Sequence, residues 1–179
     1  MSFLELVKKR QSTRKYLNKP IPREKLDRCI EAARLAPSAC NSQPWYFIVV
    51  DDPALKNKLA DETFSGLYSM NTFAKNAPVL LIVVTERSKY SASLGGFFRG
   101  VQYNLIDIGI SVEHFALQAE EEGLGTCWLG WFNEGTVKRI LNIPKNRKVD
   151  IILSVGYPEN SVTRVKTRKS IEEIRKFNL

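Results

Sequence analysis

Apolar residues in this chain fall into two kinds of run. Leu26, Cys29, Ile30 and Ala33 recur at i, i+3, i+4 and i+7, which is one face of a helix. Pro20-Ile21-Pro22 breaks the chain before it, Pro22 suits the first helical position, and Pro37 stops the helix. Val101, Leu105, Ile108, Val112, Phe115 and Ala119 keep helical spacing further on. They predict one long helix over Phe98–Glu122 that tolerates Gly109 and uses Gly123 as a C-cap. Asn133 is placed to cap a helix carrying Val137, Ile140 and Leu141, and Pro53 opens a short helix over residues 53–61. Ser2 with Glu5, and Ser170 with Glu173, have the spacing of capping boxes, so a short helix is expected at each end, the first running to about Arg10.

The second kind of run has no alternation. Trp45–Val50, Val79–Thr85 and Val149–Val155 are nearly continuous in apolar, aromatic and β-branched residues. They predict strands buried on both faces, and therefore a sheet covered by helices on each side. Thr126–Trp131 reads as a short strand or extended loop, Pro37–Pro44 and Tyr90–Gly96 as loops, and Phe64–Ala77 has no decisive period. Strands and helices interleave without repeat or linker, so residues 1–179 are expected to form a single domain of the α+β or α/β class. No G-x-G-x-x-G follows the first strand, and Gly123-Leu124-Gly125 precedes a strand instead of a helix. A Rossmann site and a P-loop are both disfavoured.

Composition adds less than charge does. At 44% hydrophobic and 26% charged the chain is ordinary globular protein, which excludes disordered and fibrous classes. The net charge of +8 is uneven. Residues 1–20 hold six basic and one acidic residue, residues 138–179 hold eleven and four, and residues 21–137 hold ten and fourteen. Two basic ends around a mildly acidic middle point to an anionic partner gripped from both ends: nucleic acid, an acidic membrane surface or a phosphate-bearing cofactor. Cys29, Cys40 and Cys127 have no paired spacing and His114 is the sole histidine, so no disulfide framework or metal site is expected. The start lacks a signal-peptide core and the longest apolar run, Val79–Val84, is too short to cross a bilayer. A cytoplasmic protein without a membrane partner is expected.

Four segments carry candidate chemistry. In Arg10-Gln11-Ser12-Thr13-Arg14 two guanidiniums lie four residues apart with hydroxyls between them, a donor set that suits phosphate. The same residues would also serve as a solvated helix end. Pro37-Ser38-Ala39-Cys40-Asn41-Ser42-Gln43-Pro44-Trp45 is a loop small enough for its backbone to approach a ligand, with Asn41 and Gln43 each offering a donor and an acceptor. It would equally serve as a connector. Gly123-Leu124-Gly125-Thr126-Cys127-Trp128-Leu129-Gly130-Trp131-Phe132 sets two tryptophans about a glycine, for a flat ligand or for edge-strand packing. Lys166-Thr167-Arg168-Lys169 is a basic run near the C-terminus.

In this order the four segments resemble the nitroreductase family of flavoproteins, over nearly the whole chain. The resemblance implies an α+β, three-layer fold: a central mixed sheet flanked by helices, with the C-terminal segment extending onto a dimer partner. It implies bound FMN, NADH or NADPH as reductant, and a homodimer with two sites at the subunit interface. Arg10, Gln11, Ser12, Thr13 and Arg14 would hold the phosphate and ribityl chain, with Lys166 and Arg168 approaching the same phosphate. Pro37, Ser38, Asn41 and Gln43 would come from the other protomer against the isoalloxazine. Trp128, Leu129, Gly130 and Trp131 would run along the flavin edge, with a backbone N–H near Gly130 facing N5. No side chain is required as nucleophile or base, because the flavin carries the hydride from NAD(P)H to a nitroaromatic, quinone or similar small oxidant in a ping-pong cycle. Asn71 and Lys75 lie where larger members read the pyrimidine ring, but no motif sets their register. Tyr68, Phe73, Phe97, Phe98 and Arg99 are pocket-lining or core residues.

Other readings stand beside it. A flavin reductase or a dehalogenase would share the fold. A basic nucleic-acid-binding module would explain the +8, though no such motif is present. A Cys–His enzyme would pair Cys40 or Cys127 with His114.

Overall fold

A computed structural model of the chain describes residues 1–86, 100–160 and 162–178. The loop expected over Tyr90–Gly96, and Phe97, Phe98 and Arg99, lie outside the described residues. Among the described residues, the elements run α1 (Phe3–Lys9), α2 (Arg23–Arg34), β1 (Trp45–Val50), α3 (Pro53–Thr63), β2 (Val79–Thr85), α4 (Tyr103–Glu121), β3 (Gly125–Leu129), α5 (Glu134–Ile140), β4 (Lys148–Gly156) and α6 (Ile171–Ile174). Both capping boxes form, at Ser2 and at Ser170, and the Asn133 side chain accepts from the Thr136 N–H. Asp52, the residue before Pro53, caps α3 through the Leu55 N–H. The long helix begins at Tyr103, so Val101 lies outside it, and Gly123 follows its end at φ 76°. Phe64–Ala77, undecided from its pattern, is mostly 3-10 helix over Gly66–Asn76.

The sheet order is β1-β2-β4-β3. All three pairings are antiparallel, so the sheet expected as mixed is parallel only at an isolated bridge, Ser12 to Thr126. β2 is central and buried along its whole length, and successive residues feed opposite faces. Val79, Leu81 and Val83 pack with α2 and α4 through Leu26, Cys29, Ile108, Val112 and Phe115. Leu80, Ile82 and Val84 pack with α3 and α5 through Leu59, Phe64 and Val137. Three layers result, helix–sheet–helix. β1 departs from the expectation of full burial: it is an edge strand with Tyr46 exposed. Among the described residues no helix is long and apolar enough to cross a membrane.

Candidate functional site

The segment Arg10–Arg14 leaves α1 as extended chain and lies beside β3. The Thr13 N–H donates to the Thr126 carbonyl at 2.9 Å, next to the parallel bridge at Ser12. Gly125 permits this approach: a Cβ there would stand 2.2 Å from Thr13 Oγ1. The Tyr16 hydroxyl donates to the Thr13 carbonyl at 2.7 Å and lies 2.8 Å from Ser154 Oγ, tying the same segment to β4. Thr13 is therefore turned inward and buried, while its neighbours are left to face outward.

The C-terminal segment comes back over this strip from more than 150 residues away. Gln11 Nε2 donates to the Val162 carbonyl at 2.9 Å. Arg164 donates through its backbone N–H (3.1 Å) and Nε (3.2 Å) to Gln11 Oε1, and through Nη2 to the Ser12 carbonyl at 2.6 Å. Lys166 Nζ donates to the carbonyls of Val7 (2.7 Å) and Lys8. Those carbonyls end α1 without helical partners, so the ammonium both satisfies them and complements the helix dipole.

These contacts assemble a cavity of about 300 Å³ lined by Arg10, Gln11, Ser12, Arg14, Arg164, Lys166, Thr167 and Arg168. A groove of about 540 Å³ beside it is lined by Gln11–Lys15, Asn160, Val162 and Arg164. The cavity holds five cationic side chains. The carboxylate that answers them is Glu113 of α4, 3.5 Å from Arg10 Nε. Burial raises the Glu113 pKa, with Arg10 pulling it down. Burial lowers that of Lys166, and the neighbouring Arg10 and Arg168 lower it further. The Cys127 thiol behind the strip is pushed up by burial and restrained by Arg14 and Ser12. A lysine whose protonation its cationic neighbours depress, gathered with four arginines around one cavity, can accept an anion.

The other sequence-predicted residues lie elsewhere in the single chain. Pro37, Ser38, Asn41 and Gln43 line neither cavity. Their loop is a built turn: the Gln43 N–H donates to Ser38 Oγ, Gln43 Nε2 donates to Asn41 Oδ1, and the Ala39 N–H donates to buried Asp107. Cys40, Asn41 and Gln43 all have positive φ, a strained backbone of the kind that collects at functional sites. Leu129 is buried in the core, whereas Gly130 and Trp131 are exposed at the end of β3. Trp131 Nε1 donates to the Leu67 carbonyl, its ring meets Tyr68 at 5.3 Å, and its own carbonyl accepts from Asn71 Nδ2 at 2.8 Å. Arg14 reaches toward the same region, 5.8 Å from the Phe73 ring. Lys75 is paired instead with Asp61. His114 Nδ1 lies 3.2 Å from the Ala32 carbonyl, joining α4 to α2.

Arg164 and Glu113 are the site residues that sequence reasoning missed. Arg164, Lys166 and Arg168 alternate, and in extended chain that period places all three on one side. Nothing local marks Glu113.

A family model described as the nitroreductase family matches residues 7–69 and 69–157. The chain belongs to the nitroreductase family. This family member is 33% identical, over 92% of its own length and 82% of the relative's, to a protein of Methanothermobacter thermautotrophicus whose name pairs NADH dehydrogenase with NAD(P)H nitroreductase. It is 31% identical over 90% of its length to iodotyrosine deiodinase 1 of Sus scrofa, and spans 63% of that protein. Among solved structures, an FMN-dependent nitroreductase of Clostridium difficile is 28% identical, with 99% of each chain covered and a TM-score of 0.79. The match to the family model ends at residue 157, before the basic tail, whereas the structural likeness spans nearly all of the chain.

Proposed function

We propose that this nitroreductase-family enzyme is an FMN-dependent oxidoreductase of the cytoplasm, passing a hydride from NADH or NADPH to a nitroaromatic, quinone or similar small oxidant. The observation that carries the reading is the meeting of Arg10, Ser12 and Arg14 with Lys166 and Arg168 around one cavity. A phosphomonoester carries close to two negative charges at neutral pH, which matches that excess of cations and hydroxyl donors. The C. difficile relative's FMN dependence supports the same reading.

Bound FMN supplies the hydride-accepting ring atom N5. The chain's own residues bind and orient. Arg10, Arg14, Lys166 and Arg168 offer forks and an ammonium to the phosphate, and Ser12 offers a hydroxyl. Gln11 and Arg164 hold the tail against the strip so that those groups face one space. Trp128 in β3 and Gly130 and Trp131 just beyond it lead toward the ring, with Leu129 offering only its backbone because its side chain is buried in the core. Pro37, Ser38, Asn41 and Gln43 approach the ring from a second copy.

Exposed apolar surface supports the homodimer. α1 buries no residue and leaves Phe3 and Leu4 exposed, and the tail exposes Val162, Val165, Ile171, Ile174 and Phe177. Apolar residues left exposed in this way are ones a second copy would cover. The positive-φ loop at Cys40–Gln43 is then available to the partner's site.

Purified protein is expected to be yellow, and its flavin absorbance to bleach when NADH or NADPH is added without oxygen. A colourless protein that takes up no added FMN overturns the proposal. Reoxidation by a panel containing a nitroaromatic, a quinone and an iodinated phenol then identifies the oxidant. The deiodinase relative gives the iodinated phenol a place in that panel.

Arg164 tests the positioning of the tail. Arg164→Ala is expected to weaken FMN by about tenfold, the scale of one charge-assisted hydrogen bond. Arg164→Lys should recover little of this, because an ammonium cannot bridge Gln11 and Ser12 as the fork does. Full recovery by lysine would show that charge alone matters.

A further inference from the structure

A cavity of about 720 Å³, larger than either described above, shares no lining residue with the basic cluster around Arg10. It lies between the Pro20–Ile21 break, the first turns of α3 and the segment Lys75–Val79 that enters β2. Lys56 gives it chemistry. This residue is 7% exposed. Its ammonium donates to the Lys75 carbonyl at 2.6 Å, which uses one of three N–H groups. The carboxylates nearby are committed elsewhere: Asp61 to Lys75 at 2.8 Å and Asp51 to Arg23 at 2.9 Å. Burial lowers the Lys56 pKa against the pull of Asp61. Among the described residues no carboxylate is in ion-pair contact with Lys56, and a cation removed from water on those terms is costly to hold. Apolar surface on the lining comes from Pro20, Pro53 and Pro78, since Ile21 and Val79 are buried in the core, and the exposed rim carries the amides of Asn57 and Asn76; the one lining carboxylate, Asp51, is held by Arg23 at 2.9 Å. Apolar wall, amide rim and desolvated ammonium together describe a ligand with a small apolar body and one oxyanion.

We propose that this cavity is a second binding site, for a small organic oxyanion (a carboxylate or a phosphate monoester) whose charged group pairs with the Lys56 ammonium while its apolar part lies on Pro20, Pro53 and Pro78. The site does not depend on the flavin reading, since it is formed by different residues.

Isobutyrate, isopropyl phosphate and neutral isobutyramide are the probes, each titrated into ¹⁵N-labelled protein as purified while backbone amide shifts are followed. Saturable shifts at Asn57, Asn76 and Val79 are expected from one or both anions and not from the amide. A response to isobutyrate alone identifies a carboxylic acid ligand, and one to the phosphate alone a phosphate ester. Lys56→Met should weaken the binding by about tenfold or more, as loss of a charge-assisted hydrogen bond does. Asn57→Asp keeps the test valid if Lys56→Met does not fold. Asn57 is exposed, so a carboxylate there should leave the urea midpoint in place and repel either anion. Absence of saturable shifts from both anions overturns the proposal, as does binding of equal strength in wild type and Asn57→Asp.

Discussion

Replacing Arg10 and Arg168 together with alanine is expected to weaken FMN binding between about a hundredfold and ten-thousandfold. The two residues belong to segments far apart in sequence that close on one cavity. Each hydrogen bond to a charged group contributes about 1.5–3 kcal/mol, and every 1.4 kcal/mol is about a factor of ten. The Arg10 guanidinium is already balanced by Glu113 at 3.5 Å, so part of its pull is spent before the phosphate arrives, and the single Arg10→Ala change should have less effect than half of the double. Quenching of flavin fluorescence on titration measures the effect. Arg139→Ala with Arg147→Ala, which removes the same two charges, is the control for net charge, because Arg139 pairs with Glu62, Arg147 pairs with Glu86, and neither lines a cavity of the basic cluster. Equal losses in the control and the double variant would mean that the protein's overall field, and not these two side chains, holds the flavin.

Gly125→Ala should destabilise the fold by about 2 kcal/mol and lower flavin retention with it. The added methyl carbon would meet Thr13 at three atoms, Oγ1 at 2.2 Å, Cβ at 2.7 Å and Cγ2 at 2.8 Å. Thr13 has little room to yield. Its N–H is bonded to Thr126, its carbonyl accepts from Tyr16, and the side chain is buried. The strip must therefore move off β3, and Ser12 and Arg14 move with it. Urea unfolding measures the first effect and FMN titration the second. Thr13→Gly placed on top of Gly125→Ala removes all three contacts and should restore part of the stability. A Gly125→Ala protein with an unchanged urea midpoint would show that the bridge at Ser12 and Thr126 is soft, and would remove the proposed link between β3 and the cation cluster.

Local pattern determined much of this protein. Continuous apolar runs located β1 and β2 to the residue; for β2 the reason is that a strand inside a helix-covered sheet has no polar side to show, whereas β1 keeps the apolar run at the sheet edge with Tyr46 exposed. Capping boxes at Ser2 and Ser170, and the caps at Asn133 and Gly123, marked helix ends, because orphan backbone groups need particular side chains close by in sequence. The four motifs carried the family, since residue type and order are local properties too. Phe64–Ala77 resisted for the same reason: a 3-10 stretch with a kink at Asn71 has neither a period of two nor one of 3.6.

Tertiary structure alone decided what pairs with what. Strand order β1-β2-β4-β3, the antiparallel sense of its pairings and the exposure of β1 as an edge follow from which faces can be covered together, and no run of residues states its neighbour. The uneven charge suggested an anion held from both ends. Only the folded chain brings Arg164 onto Gln11 and Ser12, sets Lys166 at the end of α1, and balances Arg10 with Glu113. Those contacts span up to 159 residues, and the packing of the sheet that closes so long a loop lies outside any local window.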